Sequence, residues 1–195
     1  MVQGTDGNFN GVTSAGGSSG YGAVFSVSPA GSEAVLYSFV SSYGLDARVV
    51  SSFVQGGTLI QANDGNFYLT TEAGGTSNNG TVFRITPEGT GSVLYSFGSS
   101  STDGVDPGPL LQGSDGNLYG TTAAGGTAPH GGSGTLFELS LSGAETVLYS
   151  FGTTDSILLR QRPCSRAWTD IYMVLLAAFS WCPQSSRGNN GDLNN

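Results

Sequence analysis

The stretch GSDGNLYGTTAAGG, residues Gly113 to Gly126, recurs along this chain and decides which fold the sequence predicts. A close copy, NDGNFYLTTEAGG, begins at Asn63, and a looser copy, TDGNFNGVTSAGG, begins at Thr5. Each copy is followed by an LYSF string, and these strings end at Phe39, Phe97 and Phe151. The period of about 55 residues lies near that of propeller blades, so the sequence predicts three tandem repeats.

Within one repeat, the pattern is that of four short strands bounded by Gly, Ser or Pro. In the third copy the predicted strands are Pro109–Gln112, Asn117–Thr122, Thr135–Ser140 and Thr146–Phe151. Asp-Gly favours a tight hairpin because the turn needs a positive φ, which Gly adopts without a steric penalty. The Ala-Gly-Gly segment is predicted to connect the two hairpins. The structural turns are predicted at Asp6 and Gly7, Asp64 and Gly65, and Asp115 and Gly116.

Both faces of the predicted strands carry apolar side chains. In the last strand, Val147 and Tyr149 lie on one face and Leu148 lies on the other. A small sheet that is apolar on both faces must be covered on both, and stacked four-stranded blades provide this cover. We therefore predict an all-β fold of tandem four-stranded antiparallel blade-like repeats, a partial β-propeller. The LYSF tyrosines are predicted to lie in its core.

The predicted repeats span residues 1–39, 40–97 and 98–151, and residues 152–195 form a tail of different composition. Both cysteines, Cys164 and Cys182, lie in this tail. The codons that can encode the tail can match the repeat in another reading frame. Read in the frame that starts at the third base of each codon, they can encode another DGN-type repeat. We therefore predict an aberrant C-terminal tail, interpreted as an out-of-frame fourth repeat with a partly disordered end; the alternative is a genuine sequence with a helix over Ile171 to Cys182.

Three repeats are fewer than the roughly four to eight blades of a closed ring. The chain also starts in mid-repeat, because Val2 to Gly4 match the end of a first strand at Leu111 to Gly113. We therefore predict that it is a fragment of a longer protein.

The charge of the chain excludes two classes of partner. The formal net charge is −8, and all six basic residues are Arg. Nucleic acids and anionic membranes are bound by clustered cationic side chains, so we predict no nucleic-acid partner. The apolar run from Ile171 to Cys182 is shorter than the roughly 20 residues that span a bilayer, so we predict no membrane span.

The strings DGNLYGTTAAGG, GTLFELSLSG and ETVLYSF resemble the repeat of the "choice-of-anchor tandem repeat GloVer" family. The resemblance covers Met1 to Phe151 and implies a propeller-like all-β array in exported bacterial proteins. It implies an extracellular or cell-surface location, with the signal peptide and anchor outside this fragment. It implies no catalytic residues, and we predict no cofactor and no metal.

Three groups of residues were candidates for chemistry. The Asp of each DGN string could ligate calcium, but calcium takes six to eight oxygens and each turn supplies one carboxylate, which favours the hairpin role. The sole histidine, His130, has no nucleophile motif nearby and is interpreted as a solvated loop residue. The non-repeated acids show no spacing that singles out a catalytic pair; they are Asp46, Glu72, Asp103 and Asp106.

Tyr68 and Tyr119 occupy matching positions, where their rings would either contact a ligand or pack between blades. The predicted function is a noncatalytic extracellular module for surface display or for binding a polymer or protein, such as a glycan or a cell-surface protein. The alternative is part of a carbohydrate-active propeller enzyme, a glycoside hydrolase or lyase, with its acids in the missing part. Further repeats or another chain are expected to cover the open blade faces.

Overall fold

The structure, a computed structural model, describes residues 1–40, 59–127 and 132–152. Within these ranges the regular secondary structure consists of twelve β-strands. The first sheet contains β1 (Val2–Gln3), β2 (Phe9–Thr13), β3 (Ala23–Val27) and β4 (Glu33–Ser38). The second contains β5 (Ile60–Gln61), β6 (Phe67–Thr71), β7 (Thr81–Ile85) and β8 (Gly91–Ser96). The third contains β9 (Gly104–Gln112), β10 (Leu118–Gly125), β11 (Thr135–Leu139) and β12 (Glu145–Ser150).

Each sheet is an antiparallel meander in which strands that follow one another along the chain pair side by side. This order is expected, because a short turn returns the chain directly beside the strand that it has just completed. The prediction of an all-β fold built from four-stranded antiparallel blade-like repeats is therefore confirmed. Each predicted repeat span contains one sheet.

The DGN turn closes the first hairpin of each sheet. In the second repeat, N of Gly65 donates to O of Ala62 at 2.9 Å, and N of Ala62 donates to O of Asn66 at 3.0 Å. Gly65 has a φ of 83°, the left-handed conformation that completes a three-residue hairpin loop. Gly7 and Gly116 repeat it with φ values of 84° and 89°.

The first and second sheets pack face to face around Phe83. Its ring centroid lies 5.2 Å from that of Tyr37 and 5.5 Å from that of Phe39. Burial of one such aromatic side chain stabilises the fold by about 1.5–3 kcal/mol. The other buried members of this cluster are Val24, Leu59, Phe67, Leu69 and Ile85.

The same arrangement joins the second and third sheets. The ring centroid of Phe137 lies 5.0 Å from that of Phe97, which takes the place that Phe39 has in the first interface. The middle sheet is therefore covered on both faces, as its two-sided apolar strands require. The other buried members of this cluster are Ala62, Tyr68, Val82, Leu110, Leu118 and Leu139.

The prediction that the LYSF tyrosines lie in the core holds for two of the three. Tyr37 and Tyr95 pack against the two inter-sheet clusters. Tyr149 is 49% exposed, because a register shift pairs it with Leu136 on the outer face of the third sheet. Val147 pairs with Phe137 on the inner face, and it does not lie on one face with Tyr149 as alternation predicted. The prediction was wrong for Tyr149 because no sheet follows the third among the described residues, which the local sequence does not reveal.

Two strands of the third sheet are longer than predicted. β10 continues through the Ala-Gly-Gly segment, where Ala124 pairs with Val105 and Gly125 pairs with Gly104. The register shifts between Gly120 and Thr122, where a bulge places two residues of β9 opposite one residue of β10, and the pairing then continues. In this repeat the segment is therefore strand rather than a connection alone.

Several predictions fall outside the described residues. They concern His130, Asp46, both cysteines and the tail from residue 153 onward, including its interpretation as an out-of-frame repeat. In the part of the chain that the structure covers, no helix is long and apolar enough to cross a membrane.

Candidate functional site

The three DGN turns carry the polar side chains that recur along the chain. In the second repeat, Oδ1 of Asp64 accepts N–H of Asn66 at 3.0 Å, and Oδ2 accepts Nδ2 of Asn66 at 2.8 Å. Asp6 holds Asn8 with bonds of 3.0 and 2.8 Å. Asp115 holds Asn117 with bonds of 3.1 and 3.0 Å. A carboxylate that bonds the backbone two residues ahead stabilises a turn, so these Asp residues have a structural role.

Glutamines at the ends of the first strands link neighbouring turns. Oε1 of Gln61 accepts N–H of Thr5 in the preceding turn at 2.8 Å. In the next repeat, Oε1 of Gln112 accepts N–H of Asn63 at 2.9 Å. Nε2 of each glutamine also donates within its own turn, to O of Gly65 at 3.0 Å and to O of Gly116 at 2.8 Å. The turns therefore form one hydrogen-bonded column, named here the turn column.

Tyr68 lies beside its turn and is fully buried. Its hydroxyl donates to Oδ2 of Asp64 at 2.8 Å. Burial, together with the hydrogen bond to Asp64, raises the pKa of Tyr68 to about 12. Burial also acts to raise the pKa of Asp64, but the bonds from Tyr68 and Asn66 outweigh it and lower that pKa. Because the third sheet covers the ring, Tyr68 offers no surface to a ligand, and the predicted ligand contact was wrong for this residue.

Tyr119 repeats the hydroxyl bond, donating to Oδ2 of Asp115 at 2.8 Å. This bond, with some burial, raises the pKa of Tyr119 to about 12, and it lowers the pKa of Asp115. The ring packs against Leu136 and Phe151 but keeps part of its surface exposed. Tyr119 therefore remains the predicted ligand contact.

The first repeat has no tyrosine at this position. Asn10 takes its place and is 1% exposed. Its Nδ2 donates to O of Asn8 at 3.3 Å, so Asn10 bonds the turn at the position where the other repeats have a tyrosine. The aromatic position beside the turn is thus a feature of the second and third repeats alone.

The column does not assemble a cation site from its Asp residues. Both carboxylate oxygens of Asp64 and Asp115 accept hydrogen bonds from the chain. Across the described ranges, no group of three or more His, Cys, Asp or Glu side chains lies close enough together to hold a metal. The hairpin interpretation accounts for the recurring Asp better than calcium ligation does.

Two carboxylates that sequence reasoning did not pair meet at the hydroxyl of Tyr95. This hydroxyl donates to Oδ2 of Asp103 at 3.0 Å and lies 3.5 Å from Oε2 of Glu145. Burial and the charge of Asp103 raise the pKa of Glu145, whose Oε1 is buried without a partner. The signal was absent from the sequence, because the two acids belong to opposite ends of one repeat.

Asp103 also organises the loop that precedes β9. Its Oδ2 accepts N–H and Oγ of Ser99 at 3.1 and 3.2 Å, and its Oδ1 accepts N–H of Gly104 at 2.7 Å. Four bonds to one carboxylate are typical of a structural group. A second close pair involves Glu72, whose pKa is raised by burial and then by the charge of Asp106.

No curated protein matches the sequence. A similar solved structure is virginiamycin B lyase from Staphylococcus aureus, with a TM-score of 0.48 and 16% identity. The alignment covers 77% of this chain and 39% of that lyase. The model of the Gloeobacter/Verrucomicrobia repeat family matches residues 1–164, a span that includes all twelve described strands and confirms the resemblance noted in the sequence. The chain therefore belongs to the Gloeobacter/Verrucomicrobia repeat family.

Proposed function

We propose that the chain is a noncatalytic repeat module that is displayed outside a bacterial cell and binds a polymer or a protein. The observation that carries this proposal is the use of the recurring polar residues. The Asp, Asn and Gln side chains of the DGN turns bond one another or the backbone within the turn column. Residues that recur in this way build a rigid scaffold, and a scaffold of stacked sheets suits presentation of a binding surface.

The binding surface that we propose is the exposed part of Tyr119 and its apolar neighbours. The hydrogen bond to Asp115 holds the phenol in one orientation, which lowers the entropy lost when a ligand contacts the ring. Leu111 and Leu136 pack beside the ring. Tyrosine suits such a surface because its body is apolar and its tip is wet.

The charge of the described surface limits the ligand. Arg84 is the sole Lys or Arg within residues 1–40, 59–127 and 132–152. A polyanion such as a nucleic acid would meet uncompensated carboxylates, so the ligand that we propose is a neutral glycan or a protein with a polar or cationic surface.

Glycan-array and cell-surface protein binding by the full-length chain tests the proposal. We expect Tyr119→Ala to weaken binding by about 10-fold or more, since an aromatic anchor is lost. The matched control is Tyr21→Ala, which removes a tyrosine that is 37% exposed in the first repeat. Binding that is unchanged by Tyr119→Ala would contradict the proposed surface.

The alternative, a part of a glycoside hydrolase or lyase, draws support from Asp103 and Glu145. One carboxyl with a raised pKa beside a second carboxyl is the arrangement that glycosidases use for acid and base roles. A panel of polysaccharides should be incubated with the wild type, Asp103→Asn and Glu145→Gln. Product release that both substitutions abolish, with folding retained, would favour the enzyme over the binding module.

A further inference from the structure

We propose that the outer face of the first sheet docks on the outer face of the third sheet of a second copy of this chain. The interface that the chain forms twice within itself supplies the geometry. We call the face of a sheet that packs on the preceding sheet its leading face, and the face that packs on the following sheet its trailing face. The leading face of the first sheet contains Phe9, Phe25, Val27 and Val35, and the trailing face of the third contains Leu111, Tyr119, Leu136, Leu148 and Phe151.

The leading face of the first sheet has the same apolar side chains as the leading faces that are buried. Phe67 and Phe83 hold the matching positions in the second sheet, and they are 3% and 1% exposed. In the first sheet Phe9 is 40% exposed and Val35 is 56% exposed. An uncovered apolar face of this kind marks a site of association.

The trailing face of the third sheet repeats a surface that elsewhere receives a leading face. Leu94 of the second sheet packs against the third sheet, whereas the matching Leu148 is 42% exposed. The small cluster of Leu136 and Phe151 corresponds to Val82 and Phe97, which the third sheet buries. The outer surface of the third sheet thus carries the same kinds of apolar side chain that receive a leading face elsewhere in the chain.

The turns between the last two strands show the same complementarity. A side chain added at Gly89 would collide with the backbone oxygen of Leu36, and a Cβ at Gly143 would lie 2.9 Å from O of Leu94. Each of these turns therefore rests on the leucine of the preceding sheet. A Cβ at the matching Gly31 would meet nothing within 4 Å, which leaves this turn open to rest on Leu148 of a second copy.

The turn column supplies a polar contact for the same docking. Gln61 and Gln112 each accept N–H from the preceding turn. Gln3 is their counterpart in the first sheet, and its Nε2 donates to O of Gly7 at 3.3 Å as theirs do within their own turns. In the docked pair, Oε1 of Gln3 would accept N–H of Ser114 of the second copy.

The two faces differ, so the contact is heterologous and not a symmetric patch. The described residues of two chains together supply six blade-like sheets, within the roughly four to eight that close into a ring. A closed ring of two copies leaves neither face exposed, and we infer a head-to-tail dimer. Docking would cover Tyr119 as the third sheet covers Tyr68, so a ligand on Tyr119 and a second copy compete.

Sedimentation of the full chain and of two charge variants tests the docking. The wild type is expected at twice the chain mass of 19.9 kDa. Val35→Asp and Leu148→Asp each place a charge in the proposed interface, and each should weaken self-association by about 30-fold or more. Both residues are exposed in the single chain, so both variants should fold. The control, Ser77→Asp, adds the same charge to an exposed position of the middle repeat and should leave the mass unchanged.

Mixing the two variants distinguishes head-to-tail docking from any other dimer. Leu148→Asp keeps an intact leading face and Val35→Asp keeps an intact trailing face, so an equimolar mixture should form a dimer that neither variant forms alone. A wild type that stays monomeric while its concentration is raised 100-fold would overturn the proposal. The leading face of the first sheet would then not be a site of self-association. A mixture that stays monomeric, or a variant that dimerises like the wild type, would also overturn it. None of these outcomes depends on glycan or protein binding.

Discussion

The hydroxyl of Tyr68 donates to Oδ2 of Asp64 at 2.8 Å, and Tyr119 makes the same bond with Asp115 one repeat later. The two pairs differ in their surroundings, since Tyr68 is fully buried and Tyr119 is partly exposed. One local hydrogen bond therefore occurs in two environments, which makes the pairs controls for each other.

Removing the buried hydroxyl should cost more stability than removing the exposed one. Tyr68→Phe removes a hydrogen bond whose phenol is fully buried under the third sheet, so we expect a loss of about 0.5–1.5 kcal/mol. Tyr119→Phe should cost less, because water can replace the lost donor. Urea unfolding of both variants measures the difference, and equal losses would contradict it.

The turn carboxylates should make the fold sensitive to acid. The pKa values of Asp64 and Asp115 lie below the ordinary 3.8, so the folded state favours their ionised forms. Their contribution to stability is present above pH 3.8 and is lost as the pH falls through the lowered values. Unfolding measured from pH 6 to pH 2.5 checks this, and Asp64→Asn should show a shallower decline than the wild type.

Glu145 should have the opposite effect. Its raised pKa means that the folded state binds the proton more tightly, so its contribution to stability decreases as the pH rises above 4.5. We expect Glu145→Gln to be at least as stable as the wild type at pH 7. Thermal unfolding measures this, with Glu88→Gln on an exposed turn as a control of equal charge change. A large loss of stability in Glu145→Gln would show that the carboxylate is needed in its ionised form.

Two glycines that lie beneath phenylalanine rings provide a test of packing. A Cβ at Gly120 would lie 2.6 Å from Cζ of Phe137, and a Cβ at Gly11 would lie 2.6 Å from Cζ of Phe25. Phe137 is fully buried between sheets, so Gly120→Ala should destabilise the fold by about 1–3 kcal/mol. Phe25 is partly exposed and can move, so Gly11→Ala should cost clearly less. Urea unfolding at one low protein concentration compares the two, and equal costs would contradict the packing.

Much of the fold could be predicted because its signals are local. The DGN strings predict hairpins because only the backbone of the turn itself requires the positive φ at Gly65 and Gly116. Alternating apolar residues predict strands, since side chains in a strand point to opposite faces in turn. The Asp side chains of the turns belong to this local level, as they bond residues two positions away.

The candidate site depends on contacts between sheets, which short-range patterns do not contain. Asp103 and Glu145 meet at Tyr95 only because the third sheet stacks on the second. β10 extends beyond its predicted end because Ala124 finds a partner in Val105, a pairing that the repeat pattern does not show.

The sequence by itself determined the repeat, the strand order within each sheet and the hairpin turns, because these follow from backbone conformations and alternation over a few residues. Only the tertiary structure decided which of two matching tyrosines is available. Tyr68 and Tyr119 occur in almost the same string, yet the third sheet buries Tyr68, whereas within the described residues no further sheet covers Tyr119, which stays partly exposed. Burial depends on the position of a sheet in the stack, and that position is a property of the whole assembly.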